Sequence, residues 1–180
     1  MELIAELKDK FYLCFIDDNR FADYMLSGLG VTLKITFFAV LIGLLLGVVL
    51  ALIRVTHDKN IGSMRFGPGR LLLQFINIIS NIYITVIRGI PVVVQLMIWF
   101  FVILISIKNT IIIVAIIAFG INSGAYVAEI IRAGIMSVDN GQMEAGRSLG
   151  FSYISTMRFI ILPQAFKNVL PALLNEFIAL

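Results

Sequence analysis

The sequence predicts an all-α integral membrane protein, and three observations carry that prediction. Hydrophobic residues make up 60% of the 180-residue chain and mean hydropathy is +1.01, far outside the soluble range. Uncharged runs of about 19 residues occupy 35–53 and 89–107, the length a helix needs to cross a hydrocarbon core. The first polar loop, 54–70, carries Arg54, Lys59, Arg65 and Arg70 against Asp58 alone, which is the basic excess of a cytoplasmic loop.

Residues 1–30 alternate charges with short apolar runs, which suggests a surface helix and shows no signal peptide. With 54–70 inside, this acidic segment lies outside, and the first span begins near Val31. In that span Ala39, Gly43, Gly47 and Ala51 recur every four residues. Such a stripe of small residues lets a second helix approach closely in lipid. The glycine-rich stretch 62–69 lacks the Lys-Ser/Thr of a phosphate-cradling loop, and no other segment supplies one. If ATP powers this protein, another chain binds it.

Residues 71–107 are too long for one span. Gln74, Asn77, Asn81, Thr85 and Arg88 recur at steps of three or four, so 71–88 is an amphipathic helix, interfacial or partly embedded. Pro91 interrupts the helix and a span follows over 92–107. The alternative is a hairpin of two full spans about Arg88–Pro91, which reverses every later segment. Lys108-Asn109 makes a turn, and the next span runs from Thr110 to about Ala133. At its polar end Glu129 and Arg132 stand three apart on one face and can pair. Glu129 then either faces the translocation path or forms a structural ion pair with Arg132; a carboxylate at this depth requires one or the other.

Residues 141–150 form the one long polar, helix-forming segment of the second half. Asp139 with Gln142 predicts a capping box, Gly150 a C-terminal stop, and Ser152 the cap of a second helix toward Pro163. One acid and one base in two turns are too few for lipid anchoring, so docking to a partner protein is favoured. The lone Cys14 and lone His57 exclude a disulfide framework and give no support to a metal site, and no catalytic triad or paired carboxylates are present. Nothing in the chain points to nucleic acid. The net charge of +3 concerns membrane orientation instead.

Glu144-Ala145-Gly146, Gly150, Ile160 and Leu162-Pro163 stand at the spacing of the EAA loop of ABC-importer permeases, which this segment resembles. Gly146 departs from the pattern, which has a second Ala there, and predicts a looser helix by about 1 kcal/mol. Arg88-Gly89-Ile90-Pro91 with Gln95-Leu96 is similar to the Arg-Gly-Thr-Pro signature of permeases for polar amino acids, with Ile90 replacing Thr. Asn122, Ala125, Tyr126, Glu129, Ile130, Arg132, Gly134 and Ile135 follow the same family's pattern. So do Gly141-Gln142 with Glu144-Ala145, then Gln164-Ala165, Leu170-Pro171 and Asn175-Glu176-Phe177-Ile178. The likeness is collinear over about residues 28–180.

The resemblance implies the type-1 ABC transmembrane fold over 31–180, truncated before its last span, since 169–180 supply only about 12 residues of a span. The chain is accordingly expected to be a fragment or a shortened variant. It also implies a permease subunit in a prokaryotic plasma membrane. Its partners are an ABC ATPase carrying ATP and Mg, a second permease, identical or homologous, and an extracytoplasmic amino-acid-binding protein. The chain itself holds no cofactor and is no enzyme. Coupling to the ATPase falls to a loop at about 137–163, through Gly141, Gln142, Glu144, Ala145, Gly146, Arg147, Leu149, Gly150, Leu162 and Pro163. Glu144 pairs with a base in the ATPase groove. Arg88, Gly89 and Pro91 form a hinge. Gln95, Trp99, Asn122, Tyr126, Glu129, Asn175 and Glu176 are candidates to line the path. Glutamine, glutamate, histidine, arginine, cysteine and opine importers share these motifs. The rival expectations are a passive or ion-coupled transporter without an ATPase, with Glu129 as coupling group, and a non-transporting assembly subunit.

Overall fold

A computed structural model describes residues 2–15, 21–62, 64–104 and 111–179. The described residues form helices and turns, with no strand among them. Helix α1 (Glu2–Phe15) and a π-turn (Phe21–Leu26) precede the long α2 (Ser27–Asn60). Helix α3 (Pro68–Gly89) follows with Pro68 in its first turn, where a missing N–H costs nothing. Helix α4 (Val92–Ile98) widens into a π-turn at Trp99–Ile103. Then come α5 (Ile111–Met136), α6 (Asn140–Ser148) and α7 (Tyr153–Thr156). A π-turn over Met157–Ile161 joins α7 to α8 (Leu162–Ala179). Three helical stretches, Tyr24–Asn60, Pro68–Gly89 and Ile111–Met136, are long and apolar enough to cross a membrane.

Two expectations need correction. Arg54 to Asn60 are not loop but the last turns of α2, and the connection shrinks to residues 61–67. No glycine or proline stands between Gly47 and Gly62, so nothing stops the helix at the membrane boundary. At 1.5 Å per residue α2 extends roughly 51 Å, well past a hydrocarbon core of about 30 Å. The second correction concerns the span placed at 92–107. Its regular winding ends at Ile103, and 105–110, with the expected turn at Lys108-Asn109, lie outside the described residues.

Helix α2 packs on α5 through the small-residue stripe: Ala39, Gly43, Gly47 and Ala51 are all buried. A Cβ added at Gly43 would sit 2.8 Å from Ser123 Oγ, one at Gly120 would sit 2.8 Å from Ile42 Cβ, and one at Gly47 would overlap Val127. Contacts advance together along both helices, 39–42 beside 120 and 47 beside 127–128, so α2 and α5 run parallel. Parallel helices need a single crossing between them. That crossing is built from the end of α3 and from α4. Tyr83 donates to the Ile121 carbonyl and Ile84 packs on Ala125 and Ala128, halfway along α5. Val93, Leu96 and Phe100 then face Ile111 and Val114 at its start. The hairpin alternative would make α2 and α5 antiparallel. Helix α8 returns antiparallel on α5, with Val169 against Gly134 and Asn168 donating to Ser137 Oγ at 3.0 Å.

The stripe yields a test. Gly47→Leu forces a branched side chain into the α2–α5 seam, and overpacking of this kind costs ~1–3 kcal/mol or more. Leu45, 72% exposed on the opposite face, is the control. Gly47→Leu is expected to lower the unfolding temperature in detergent by several degrees, while Leu45→Ala leaves it within a degree or two.

Candidate functional site

Asp139 caps α6, its Oδ1 accepting from the Gly141 N–H at 2.6 Å. The reciprocal half of the expected capping box is absent. Gln142 Oε1 instead accepts from Gln164 Nε2 on α8 at 3.3 Å, a tertiary partner in place of the local one. Gly150 ends the helix at φ +86°, with Phe151 N–H bonded to Gly146 O at 3.1 Å and Gly150 N–H to Arg147 O at 3.0 Å. These two bonds are the Schellman pattern, which only a residue without a Cβ adopts cheaply. Ser152 then caps α7 by accepting from the Ser155 N–H at 3.2 Å.

Gly146 corrects another expectation. It does not loosen α6, because it is the point at which α6 is pressed against the bundle. A Cβ there would lie 2.5 Å from Thr156 Cγ2 and 3.0 Å from Ile160 Cδ1, and Thr156 is fully buried. Beside this contact Val55, Ile135, Val138, Ile161 and Ala165 form one apolar cluster that Met143 joins. Among the ten residues expected to couple, Gly146 is the buried one. Gly141, Gln142, Glu144, Ala145, Arg147, Leu149, Gly150, Leu162 and Pro163 are exposed. Leu149 and Ile154, 77% and 75% exposed, stand out as apolar side chains beside the charged face, with Phe151 between them. Ile154 and Phe151 escaped the motif reading, although apolar residues within a polar segment are the signal for a docking tip.

The path candidates divide. Asn122, Tyr126 and Glu176 line one cleft of about 440 Å³ together with Arg88, Gly89 and Pro91. Tyr126 and Glu129 line a second, of about 460 Å³, with Arg54, Thr85, Arg88 and Gly89. Gln95 points elsewhere. It is buried, and its Nε2 donates at 2.7 Å to both Ile87 O and Ile90 O, carbonyls that the break at Pro91 leaves without helical partners. Trp99 starts a π-turn away from both clefts, and Asn175 is exposed on α8. The hinge residues stand where α3 stops: Ile90 is extended (φ −108°, ψ 129°) and Pro91 caps α4.

Glu129 pairs with two arginines. Arg54 Nη1 donates to one carboxylate oxygen, Arg132 Nη2 donates to the other at 2.9 Å, and Arg132 Nη1 reaches Asp58 Oδ2 at 2.9 Å. His57 Nδ1 lies 3.3 Å from Asp58 Oδ1. Two cations and two carboxylates thus alternate across the α2–α5 seam, with side chains 15–29% exposed. Arg54 and Asp58 were read as loop charges, and the signal for their role was their i, i+4 spacing in line with the stripe. Among the described residues no group of three His, Cys, Asp or Glu comes together to hold a metal.

Two stability tests follow. Gly146→Ala is expected to destabilise by ~1–3 kcal/mol, with Thr156→Ser in the same chain recovering part of the loss by removing the crowded methyl. Glu129→Gln leaves Arg54 and Arg132 without their shared carboxylate and is expected to cost about 1–3 kcal/mol, less than a fully buried pair because the group is partly exposed. Adding Arg54→Gln should return part of that. Thermal unfolding in detergent reads both.

Comparison with known proteins brings these features together. Residues 60–180 match the family model described as binding-protein-dependent transport system inner membrane component. The arginine transport system permease protein ArtQ of Bacillus subtilis is 43% identical over 159 residues, covering 87% of this chain and 66% of that protein. The glutamate/aspartate import permease protein GltK of Escherichia coli is 40% identical over 167 residues, covering 87% and 67%. A crystal structure of an amino acid ABC transporter with histidines matches at a TM-score of 0.74 and 42% identity, covering 92% of this chain and 71% of that one. The chain spans about two thirds of the length of the curated relatives it matches.

Proposed function

Because the chain belongs to the family of binding-protein-dependent transport system inner membrane components, we propose that it acts as a permease subunit of an ATP-driven amino-acid importer. The observation that carries this reading is α6: a capped polar helix with an exposed charged face, rigidly seated on the membrane bundle through Gly146. A helix built in this way suits docking into a groove of another protein, and movement of that protein would be passed to the spans. In this reading the ATPase is a separate chain that carries ATP and Mg, as the match to a transport-system inner membrane component supports. A second permease and an extracytoplasmic binding protein complete the assembly.

The basic residues of 54–70 favour a cytoplasmic side for the end of α2, and with it α6, and the outer side for residues 1–30. The cleft with Asn122, Tyr126, Arg88 and Glu176 offers both charge signs to a zwitterion. The relatives named above carry substrates of opposite side-chain charge, so the class proposed is polar α-amino acids, recognised by their common head group. The pairing of Glu129 with Arg54 and Arg132 favours a structural role over the ion-coupling role that a gradient-driven carrier would give it.

The test is copurification. The complete permease, co-expressed with its ATPase and solubilised in mild detergent, is expected to retain the ATPase, and Glu144→Arg on the exposed face of α6 is expected to release at least about nine-tenths of it, as reversal of a docked charge pair does. If the unmodified permease retains no ATPase, the importer reading fails.

A further inference from the structure

The two clefts share a wall. Arg88, Gly89 and Tyr126 line both the cleft holding Asn122 and Glu176 and the cleft holding Arg54 and Glu129. At that wall the Arg88 guanidinium carbon lies 5.2 Å from the centroid of the Tyr126 ring, within range of a cation–π contact. We propose that Arg88 stacked on Tyr126 is the gate between the two clefts, closing the path within this subunit. The proposal rests on the transport reading and names the residues that seal the path.

The mounting of the two side chains suits a gate. Tyr126 stands on α5, whose neighbouring face is locked against α2 by Ser123, Gly124, Val127 and Ala128. That half does not move without breaking the seam. Arg88 stands in the last turn of α3, followed by an extended Ile90 and by Pro91. A residue at such a chain break can withdraw by rotating a few backbone dihedrals without unwinding a helix. Gln95 holds the Ile87 and Ile90 carbonyls across the break, which confines the pivot to this point. The contact itself is of intermediate strength. A guanidinium over an aromatic face is held more weakly than one in a bidentate pair with a carboxylate. Glu176, in the first cleft with Arg88, supplies a group of that kind on the open side. A gate needs this balance: firm enough to close, weak enough to release.

Side chains of equal bulk separate a cation–π gate from a mere plug. In the complete permease with its ATPase, in sealed membrane vesicles, Cys14 is replaced by Ser and one cysteine is introduced at Thr85 or at Phe119, one in each cleft. A charged, membrane-impermeant methanethiosulfonate is applied from one side at a time, without ATP. The expected parent pattern is labelling of Thr85→Cys from the side of α6 and of Phe119→Cys from the other. Tyr126→Phe keeps the ring face and is expected to keep this pattern. Tyr126→Leu fills similar space without a π face and is expected to raise labelling from the wrong side about tenfold, the equivalent of ~1.4 kcal/mol. Arg88→Gln is expected to match Tyr126→Leu. Equal sealing by Leu and Phe at 126, or a parent labelled alike from both sides, overturns the proposal. The labelling needs neither ATP nor substrate, so loss of ATPase coupling with sidedness intact would sink only the importer reading.

Discussion

The close approach of α2 and α5 is the constraint on which the rest of the molecule depends. Lipid tails are as apolar as leucine, so two helices in a bilayer gain little by burying large apolar side chains on each other. They associate by dispersion at short range, which requires small residues in register. Here Ala39, Gly43 and Gly47 meet Gly120, Ser123, Gly124, Val127 and Ala128, and Ala51 is buried further along the same line. The successive faces of α5 then have fixed duties. Residues 120, 124 and 127 belong to the seam, so Phe119, Asn122 and Tyr126, three and four residues apart, turn to the clefts beside α3. The parallel run of the two helices also fixes the topology, because it admits one crossing between them.

At its far end the seam changes chemistry. Past Ala51 the packed surface gives way to Arg54 and Asp58 against Glu129 and Arg132, a neutral alternation of charges at partial exposure. Single exposed pairs contribute little, but a charge with partners on two sides is held in a defined geometry. Immediately beyond lies the apolar cluster of Val55, Ile135, Val138 and Ile161, against which Met143 of α6 packs. The ends of α2, α5 and α6 and the start of α8 therefore share one body of contacts. Displacement of α6 cannot be taken up locally.

Legibility of these features in the sequence followed the range of the interaction. Features decided within a few residues were readable: Asp139 and Ser152 as caps, Gly150 as a stop, Pro91 as a break, and the periodic small residues as a packing stripe. Features decided by distant partners were not. Gln142 has the right spacing for a capping box, yet it bonds Gln164 on another helix. Gln95 looks like a polar group in a span, yet it turns back to satisfy carbonyls stranded by Pro91. Arg54 and Asp58 were assigned to a loop because basic residues mark the side of a membrane, which says nothing about whether the backbone stays helical. Gly146 was judged by propensity, whereas its role is the absence of a Cβ where Thr156 arrives.

The last junction joins the short surface helices to a long one without a loop. Pro163 has no N–H to give, and its ring crowds the carbonyl of Phe159 four residues earlier. The α-helical ladder therefore loses a bond at this point. The chain answers with a wide turn over Met157–Ile161, in which the Leu162 N–H bonds to Met157 O, and α8 continues without a loop. A flexible linker at 157–161 would absorb any movement of α6 and α7. A hydrogen-bonded π-turn, with Ile161 buried in the shared cluster, ties α7 directly to α8, the helix that carries Glu176 into the first cleft. The proline of the Leu-Pro pair thus stands where the connection stays wound while deviating from α geometry, and α7 and the helix that lines the first cleft are joined without a loop.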